Sequence, residues 1–436
     1  MAAFEPEVLM MPVKKTIYQN VIWRGFYYLT AFLLNIAIAR HFSAEGSGQL
    51  YYLVSIYSLA VLVISLSFES GITYFAANKE IAPSRLLSFS IAWSLVAGLL
   101  IFLFIYLFVP VNLQGADRSF LLLSVFCFIT GNLLTTYTSG LFYAQKNVSW
   151  PNSISALINL GLISLLVSGK VDENYFQLYF IAFLLQGIFV TLFYIIKYKP
   201  DLVAGFLNRK EFVLLARYCV LAFLSNLIFF LLYRVDYWFV DYYGKENELG
   251  NYIQVSKLGQ LFFILPTVLA GAVFPLTAGG QKRVVNKLLP SISRMILFVY
   301  LLACLVLAAT GQWLFPTIFG KSFDGMYWPF LCLVPGILSL SGLFTLTAYY
   351  SGKNRIKVNI QGSLLALAVI IVGDSIFIPR YGIAAAALVS SIGYIVYQVY
   401  VLVIFKKEYG TPISDFFIPR ASDWKELKTL LRAVNK

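Results

Sequence analysis

Residues 86–109 read LLSFSIAWSLVAGLLIFLFIYLFV, twenty-four positions without a charge. As a helix that run rises about 36 Å, enough to cross the ~30 Å hydrocarbon core of a bilayer. Runs of the same kind recur along the whole chain, at 18–40, 50–76, 119–143, 150–168, 175–197, 212–242, 251–277, 291–310, 327–350, 357–378 and 383–405. They are continuous and do not alternate, so they predict helices and exclude a strand barrel. Turn residues separate them, as in Ala44-Glu45-Gly46-Ser47-Gly48, Ala82-Pro83-Ser84, Gly279-Gly280 and Gly320-Lys321-Ser322. The fold expected is an all-α polytopic membrane protein with twelve transmembrane helices.

Composition agrees. Of 436 residues, 60% are hydrophobic and 12% charged, and mean hydropathy is +0.79. A soluble domain carries about 25% charged residues and needs them to cover its surface. The deficit excludes a cytosolic enzyme, a nucleic-acid-binding domain, a secreted disulfide scaffold and a disordered chain. Cys127, Cys219, Cys304 and Cys332 all lie in apolar runs with no CxxC pair, and read as small buried hydrophobes. A single histidine, His41, leaves no basis for a His-built metal or catalytic site. Walker A, HExxH, GxSxG and DxD patterns are absent, so no enzyme activity and no cofactor are expected. The N-terminal run is long, contains Arg24 and lacks a small-x-small exit, so it reads as a permanent first helix.

The net charge of +13 describes orientation more than ligand. Lys and Arg counted on alternate sides of the twelve runs divide 23 to six. The poor side has one per loop: Arg40, Arg118, Lys170, Lys245, Lys321 and Arg380. By the positive-inside rule both termini are cytoplasmic, which an even number of spans requires. The organisation expected is a cytoplasmic segment 1–17, a six-helix lobe 18–198, a linker 199–211, a second lobe 212–405 and a cytoplasmic tail 406–436. Within the tail, Asp423 to Leu431 suits either a short amphipathic helix on the anionic inner leaflet or a solvated segment.

The halves resemble each other. Phe142-Tyr143-Ala144-Gln145-Lys146-Asn147 aligns with Tyr349-Tyr350-Ser351-Gly352-Lys353-Asn354, and Asn152 with Asn359 at the same offset of 207. Gly48-Gln49-Leu50 aligns with Gly250-Asn251-Tyr252 at an offset of 202. This pattern predicts a duplicated six-helix unit, two pseudo-symmetric lobes about the membrane normal, and a cavity between them.

Charges inside spans are expensive and mark working positions. They are Arg24, Glu69, Arg217, Arg234, Asp236, Lys257 and Asp374. Arg217, near a run's end, suits snorkelling. Arg24 and Glu69 suit either a structural ion pair or, separately, an anion contact and a titrating or field-setting carboxylate. Arg234 and Lys257 outnumber nearby carboxylates and point to an anion. Arg234 and Asp236, two apart, face opposite ways on a continuous helix and cannot pair. Asn and Gln residues, Gln260 among them, add hydrogen-bonding capacity between helices. Aromatics, 17% of the chain, suit interfacial belts and sugar stacking alike.

Leu232-Tyr233-Arg234-Val235-Asp236-Tyr237, then Glu248-Leu249-Gly250-Asn251-Tyr252, then Leu265-Pro266 and Phe274-Pro275, resembles the central signature of the Wzx-type polysaccharide repeat-unit flippases. These belong to the multidrug/oligosaccharidyl-lipid/polysaccharide (MOP) exporter superfamily. Phe68-Glu69-Ser70-Gly71-Ile72, Phe319-Gly320-Lys321-Ser322-Phe323 and Ile378-Pro379-Arg380-Tyr381-Gly382-Ile383 support the resemblance. It implies a MATE/MOP-like fold in the bacterial inner membrane. The implied activity is alternating-access export of undecaprenyl-diphosphate-linked oligosaccharides for O-antigen, lipopolysaccharide, capsule or exopolysaccharide. Arg24, Arg234 and Lys257 would face the diphosphate, while Glu69, Asp236 and Asp374 would couple a proton or sodium gradient or balance charge. Partners implied are the lipid-linked glycan, membrane lipids, a polymerase and glycosyltransferases. A cation-coupled multidrug exporter of the same superfamily is the first alternative, and a membrane-embedded polymerase or ligase the second.

Overall fold

The computed structural model describes residues 10–108, 118–169, 175–201, 205–245, 247–263, 266, 282–353, 355–418, 420 and 423. The side chains of 10–21, 221 and 282–287 lie outside that description, as do the expected segment 1–9, part of the 199–211 linker, most of the run 251–277 and tail residues 424–431. The helices are α1 (Met10–Ser65), α2 (Phe68–Ala77), α3 (Pro83–Phe108), α4 (Arg118–Ala144), α5 (Ser149–Ser168) and α6 (Tyr175–Tyr198). They continue as α7 (Arg209–Leu232), α8 (Val235–Tyr243), α9 (Glu248–Leu261), α10 (Lys282–Phe319), α11 (Tyr327–Gly352) and α12 (Ile356–Tyr409). Among the described residues, nine helices are long and apolar enough to cross a membrane.

Two of these contain a sharp break. In α12 it falls at Gly382 (φ 60°, ψ −149°), three residues after Pro379, and separates the expected runs 357–378 and 383–405. In α1 it falls at Ser43 (φ 61°, ψ −175°). The turn expected over 44–48 is thus made by one residue, and Ala44 to Gly48 enter the next helix. The reason lies in what those residues touch. The Ala44 amide donates to Ser322 Oγ (3.0 Å), and a Cβ on Gly48 would lie 2.8 Å from the Gly250 amide nitrogen. Gly48 therefore serves a close backbone crossing, and it meets the glycine it aligns with in the repeat.

The run expected at 50–76 is interrupted too. Leu66 and Ser67 take positive φ (46° and 57°), so α2 restarts at Phe68. A broken helix in hydrocarbon needs other partners for its freed peptide groups. Trp93 Nε1 donates to Ile64 O (3.0 Å), the Tyr137 hydroxyl to Ser65 O (3.4 Å), and Asn226 Nδ2 to Ser67 Oγ (3.0 Å).

The chain divides into two compact units, residues 1–41 with 53–227, and 42–52 with 228–436. In the first, α4 is central, packing on α2, α3 and α6. Gly131 and Gly187 let α4 and α6 touch backbone to backbone. Most of α7 belongs here, because Gly71 of α2 lies against Cys219 and Leu215 and Arg85 of α3 pairs with Glu211 at 2.8 Å. In the second unit, α11 and α12 form the main layer, locked where Ser391 Oγ donates to Cys332 O (2.7 Å) and accepts from Gly336 N (3.1 Å). All four cysteines are unbridged.

The described part of the tail is anchored to this second unit. Phe416 packs edge-on against Phe405 of α12 (5.5 Å). Asp423, its side chain 6% exposed, forms a buried ion pair with Arg294 of α10 and accepts from Ser291 Oγ (3.0 Å) and the Arg420 amide (2.9 Å). Burial works to raise the Asp423 carboxyl, but Arg294, the Arg420 amide and Ser291 together hold it below the usual carboxylate range. Asp423→Asn should destabilise the full chain by about 3–5 kcal/mol, because Arg294 stays buried without its counter-charge. A group lowered on folding contributes above its unfolded pKa of about 4 and loses that contribution as pH falls through the folded value. The wild-type melting temperature in detergent should therefore exceed that of the variant near neutral pH, with the gap closing in acid. Equal melting temperatures at pH 7 would contradict the anchor.

Candidate functional site

The second unit concentrates the span charges around another helix break. Tyr233 and Arg234 form a turn between α7 and α8, with Arg234 outside helical geometry (φ −139°, ψ −16°). The run 212–242 is therefore not continuous, and its break lets Arg234 and Asp236 serve adjacent sites on the same neighbour, α9. Separate partners hold each, so they form no ion pair with one another among the described residues.

Arg234 is half-buried, its guanidinium 5.2 Å from the Tyr237 ring centroid. Its Nη2 donates to Gln260 Oε1 (3.4 Å). Lys257, one turn before Gln260 on α9, places its ammonium on the face of Tyr51, a residue of the 42–52 segment that belongs to this unit. Lys257 lies within the field of Arg234. Two like charges sheltered among aromatic faces repel in a low-dielectric setting and favour an anion between them.

Asp236 is 2% exposed. Its Oδ2 accepts from the Tyr252 hydroxyl and from Ser390 Oγ (3.2 Å), while Oδ1 has no hydrogen-bond partner in the structure. Asp374 of α12 is fully buried, and neither of its carboxyl oxygens has one. The two carboxylates lie within each other's field. Carboxyl oxygens buried without donors disfavour the charged form, so the two groups together favour neutralisation, by a proton or by a cation. A small cavity adjoins Asp236, lined also by Tyr233, Tyr252, Ser256, Gln260 and Ser390 among others.

The first unit holds the other two predicted residues apart. Arg24 is exposed and lies 5.2 Å over the Tyr143 ring of α4. Glu69 is half-buried in the first turn of α2, where unpaired helix N–H groups favour a carboxylate, and the Ser67 hydroxyl is beside it. Among the described residues they do not pair with each other, so the structural ion-pair alternative is not formed. Arg217 is exposed, as snorkelling requires. Sequence reading missed Tyr252, Ser256 and Ser390 as site residues and treated Gln260 as one polar contact among many. Their types are ordinary in membrane helices, and only the break at Tyr233-Arg234 brings them around Asp236.

No family model matches the chain. The Haemophilus influenzae protein named Lsg locus putative protein 1 is 24% identical over 344 residues, 75% of this chain and 82% of that protein. Among solved structures, lipid II flippase MurJ in an inward closed conformation aligns with TM-score 0.72 and 16% identity, over 95% of this chain and 96% of that one. The chain has the fold of the MOP superfamily. An inward-facing multidrug resistance MATE family transporter of that superfamily aligns with TM-score 0.67 and 13% identity, over 88% and 94% of the two chains. That fold accounts for a membrane-embedded, all-helical architecture.

Replacing Asp374 by Asn removes one of two adjacent buried carboxylates. The melting temperature of this variant in sodium-free buffer at pH 7 should equal or exceed that of wild type, as expected where function is served by a destabilising site. A drop of more than about 2 °C, corresponding to roughly 2 kcal/mol for a chain of this length, would show instead that Asp374 supports the fold.

Proposed function

We propose that the chain is a flippase carrying undecaprenyl-diphosphate-linked oligosaccharide repeat units across the bacterial inner membrane for O-antigen, capsule or exopolysaccharide synthesis. The observation that carries this reading is the Arg234–Lys257 pair, two cations within each other's field in the second unit, each set against a tyrosine face. A diphosphate needs cations in a low-dielectric site, with bidentate guanidinium recognition as the strongest contact. The glycan needs a wet lumen, and the prenyl tail can remain in lipid. That a structure sharing the fold is named a lipid II flippase supports a lipid substrate.

In this reading each half of α1 and of α12 crosses the membrane, as does the run at 251–277, giving twelve spans in two pseudo-symmetric lobes with both termini cytoplasmic. Transport proceeds by alternating access. Arg24 is a further anion contact of the first unit. Asp236 and Asp374, with Glu69, couple movement to a proton or sodium gradient. A polymerase would consume the delivered unit and glycosyltransferases would supply it. The acid pair also favours a second reading, a cation-coupled multidrug exporter, but an exporter of cationic drugs gains nothing from a paired Arg and Lys.

Arg234→Ala and Lys257→Ala should each reduce export of lipid-linked glycan by about 10–100-fold, the loss of roughly 1.5–3 kcal/mol of charge-assisted contact, while membrane protein levels hold. Wild-type export by both variants and by the double variant would refute the anion site. Dissipating the proton and sodium gradients in inverted vesicles should stop glycan movement in the wild type. Continued movement at the same rate would leave downhill transport, driven by substrate consumption, in place of coupling.

A further inference from the structure

Gln260 lines the cavity beside Asp236 and also contacts Arg234. A guanidinium is donor-only, so the amide oxygen must face Arg234 (3.4 Å). The amide nitrogen then faces the cavity and donates to Ser256 Oγ (3.4 Å). Ser256, Gln260 and Asp236 line that cavity together, and Asp236 Oδ1 is buried in this region without a hydrogen-bond partner. One side chain thus touches the arginine of the anion site and borders the carboxylate whose charge is unbalanced.

We propose that Gln260 is the positioning residue that links the charge state of the acid pair to the freedom of Arg234. The inference rests on the flippase reading and adds to it a route of coupling. While Asp236 is negative, its field and the amide oxygen both restrain the guanidinium on the cavity side. When Asp236 is neutralised, the amide rotates toward the cavity, its oxygen leaves Arg234, and the guanidinium is released to grip a diphosphate. Both effects have the same sign, so neutral Asp236 favours anion binding, and by reciprocity a bound anion favours neutral Asp236. The other charged or titratable groups around the switch are Tyr233 and Tyr237 of the α7–α8 region, Tyr252 and Lys257 of α9, and Asp374 and Tyr394 of α12. Those that α11 contributes to the cavity, Leu333, Ile337 and Leu340, are apolar.

The test is a double-mutant cycle read by binding of undecaprenyl diphosphate to the full-length protein in nanodiscs. Asp236→Asn supplies the neutral state. In the otherwise wild-type chain it should tighten binding about tenfold. Gln260→Leu alone should also tighten binding, and adding Asp236→Asn to it should change the dissociation constant by less than threefold. Gln260→Met, nearly isosteric, should behave as Gln260→Leu does, which separates the switch from packing. The same tenfold change with and without Gln260, or no effect of Asp236→Asn in the wild-type chain, would overturn the proposal while leaving the flippase reading intact. A wild-type chain that binds no undecaprenyl diphosphate would overturn both.

Discussion

Hydrocarbon supplies no hydrogen-bond partner to a peptide group, so a membrane helix can break only where other groups satisfy the freed backbone. The breaks in this chain are therefore the positions where its other features are arranged. At Leu66-Ser67, an indole and a phenol donate to the freed carbonyls of Ile64 and Ser65, and Glu69 sits on the restarted helix. At Tyr233-Arg234, the interruption sets a guanidinium toward one face of α9 and a carboxylate toward Tyr252 and Ser390. A continuous helix could not bring both to the same neighbour.

The second unit sets charged side chains of both signs within each other's field. Arg234 and Lys257 rest on aromatic faces, and Asp236 and Asp374 bury oxygens without donors. Partner helices could have neutralised each sign with the other, and the structure keeps them in adjoining compartments. That separation is unfavourable for stability and suits a carrier, because each compartment gains from a ligand of opposite charge and each ligand alters the field felt by the other. The Arg294–Asp423 pair shows the contrast: there the buried ions are matched and hydrogen-bonded, and the role is anchorage of the tail.

Much of the architecture was legible in the chain. Uninterrupted apolar runs are a direct consequence of burying peptide groups in lipid, and they predict the helices closely. The close approach of Gly48 to Gly250 was not among the expectations, because the repeat alignment predicts only a duplicated unit. Breaks within runs were not legible, because Leu66, Ser67, Tyr233 and Arg234 carry no Gly or Pro signal, and the side chains that meet the freed carbonyls of Ile64 and Ser65 come from other helices. Arg234 and Asp236 form no ion pair with one another among the described residues, as their spacing predicts, although a helix break and not a continuous helix separates them. The span charges stand out in the sequence because charge is rare in apolar runs, whereas Tyr252, Ser390 and Gln260 come to lie beside Asp236 and Arg234 only through tertiary structure.

The central claim is that this chain moves a lipid-linked diphosphate across a bilayer. The most direct measurement is translocation of a fluorescent undecaprenyl-diphosphate-linked oligosaccharide in proteoliposomes containing the purified chain alone, read by quenching of outward-facing probe. The account predicts protein-dependent loss of protection for that substrate, and none for a phospholipid carrying the same fluorophore. Equal movement of both lipids, or of neither under imposed proton and sodium gradients, would contradict it.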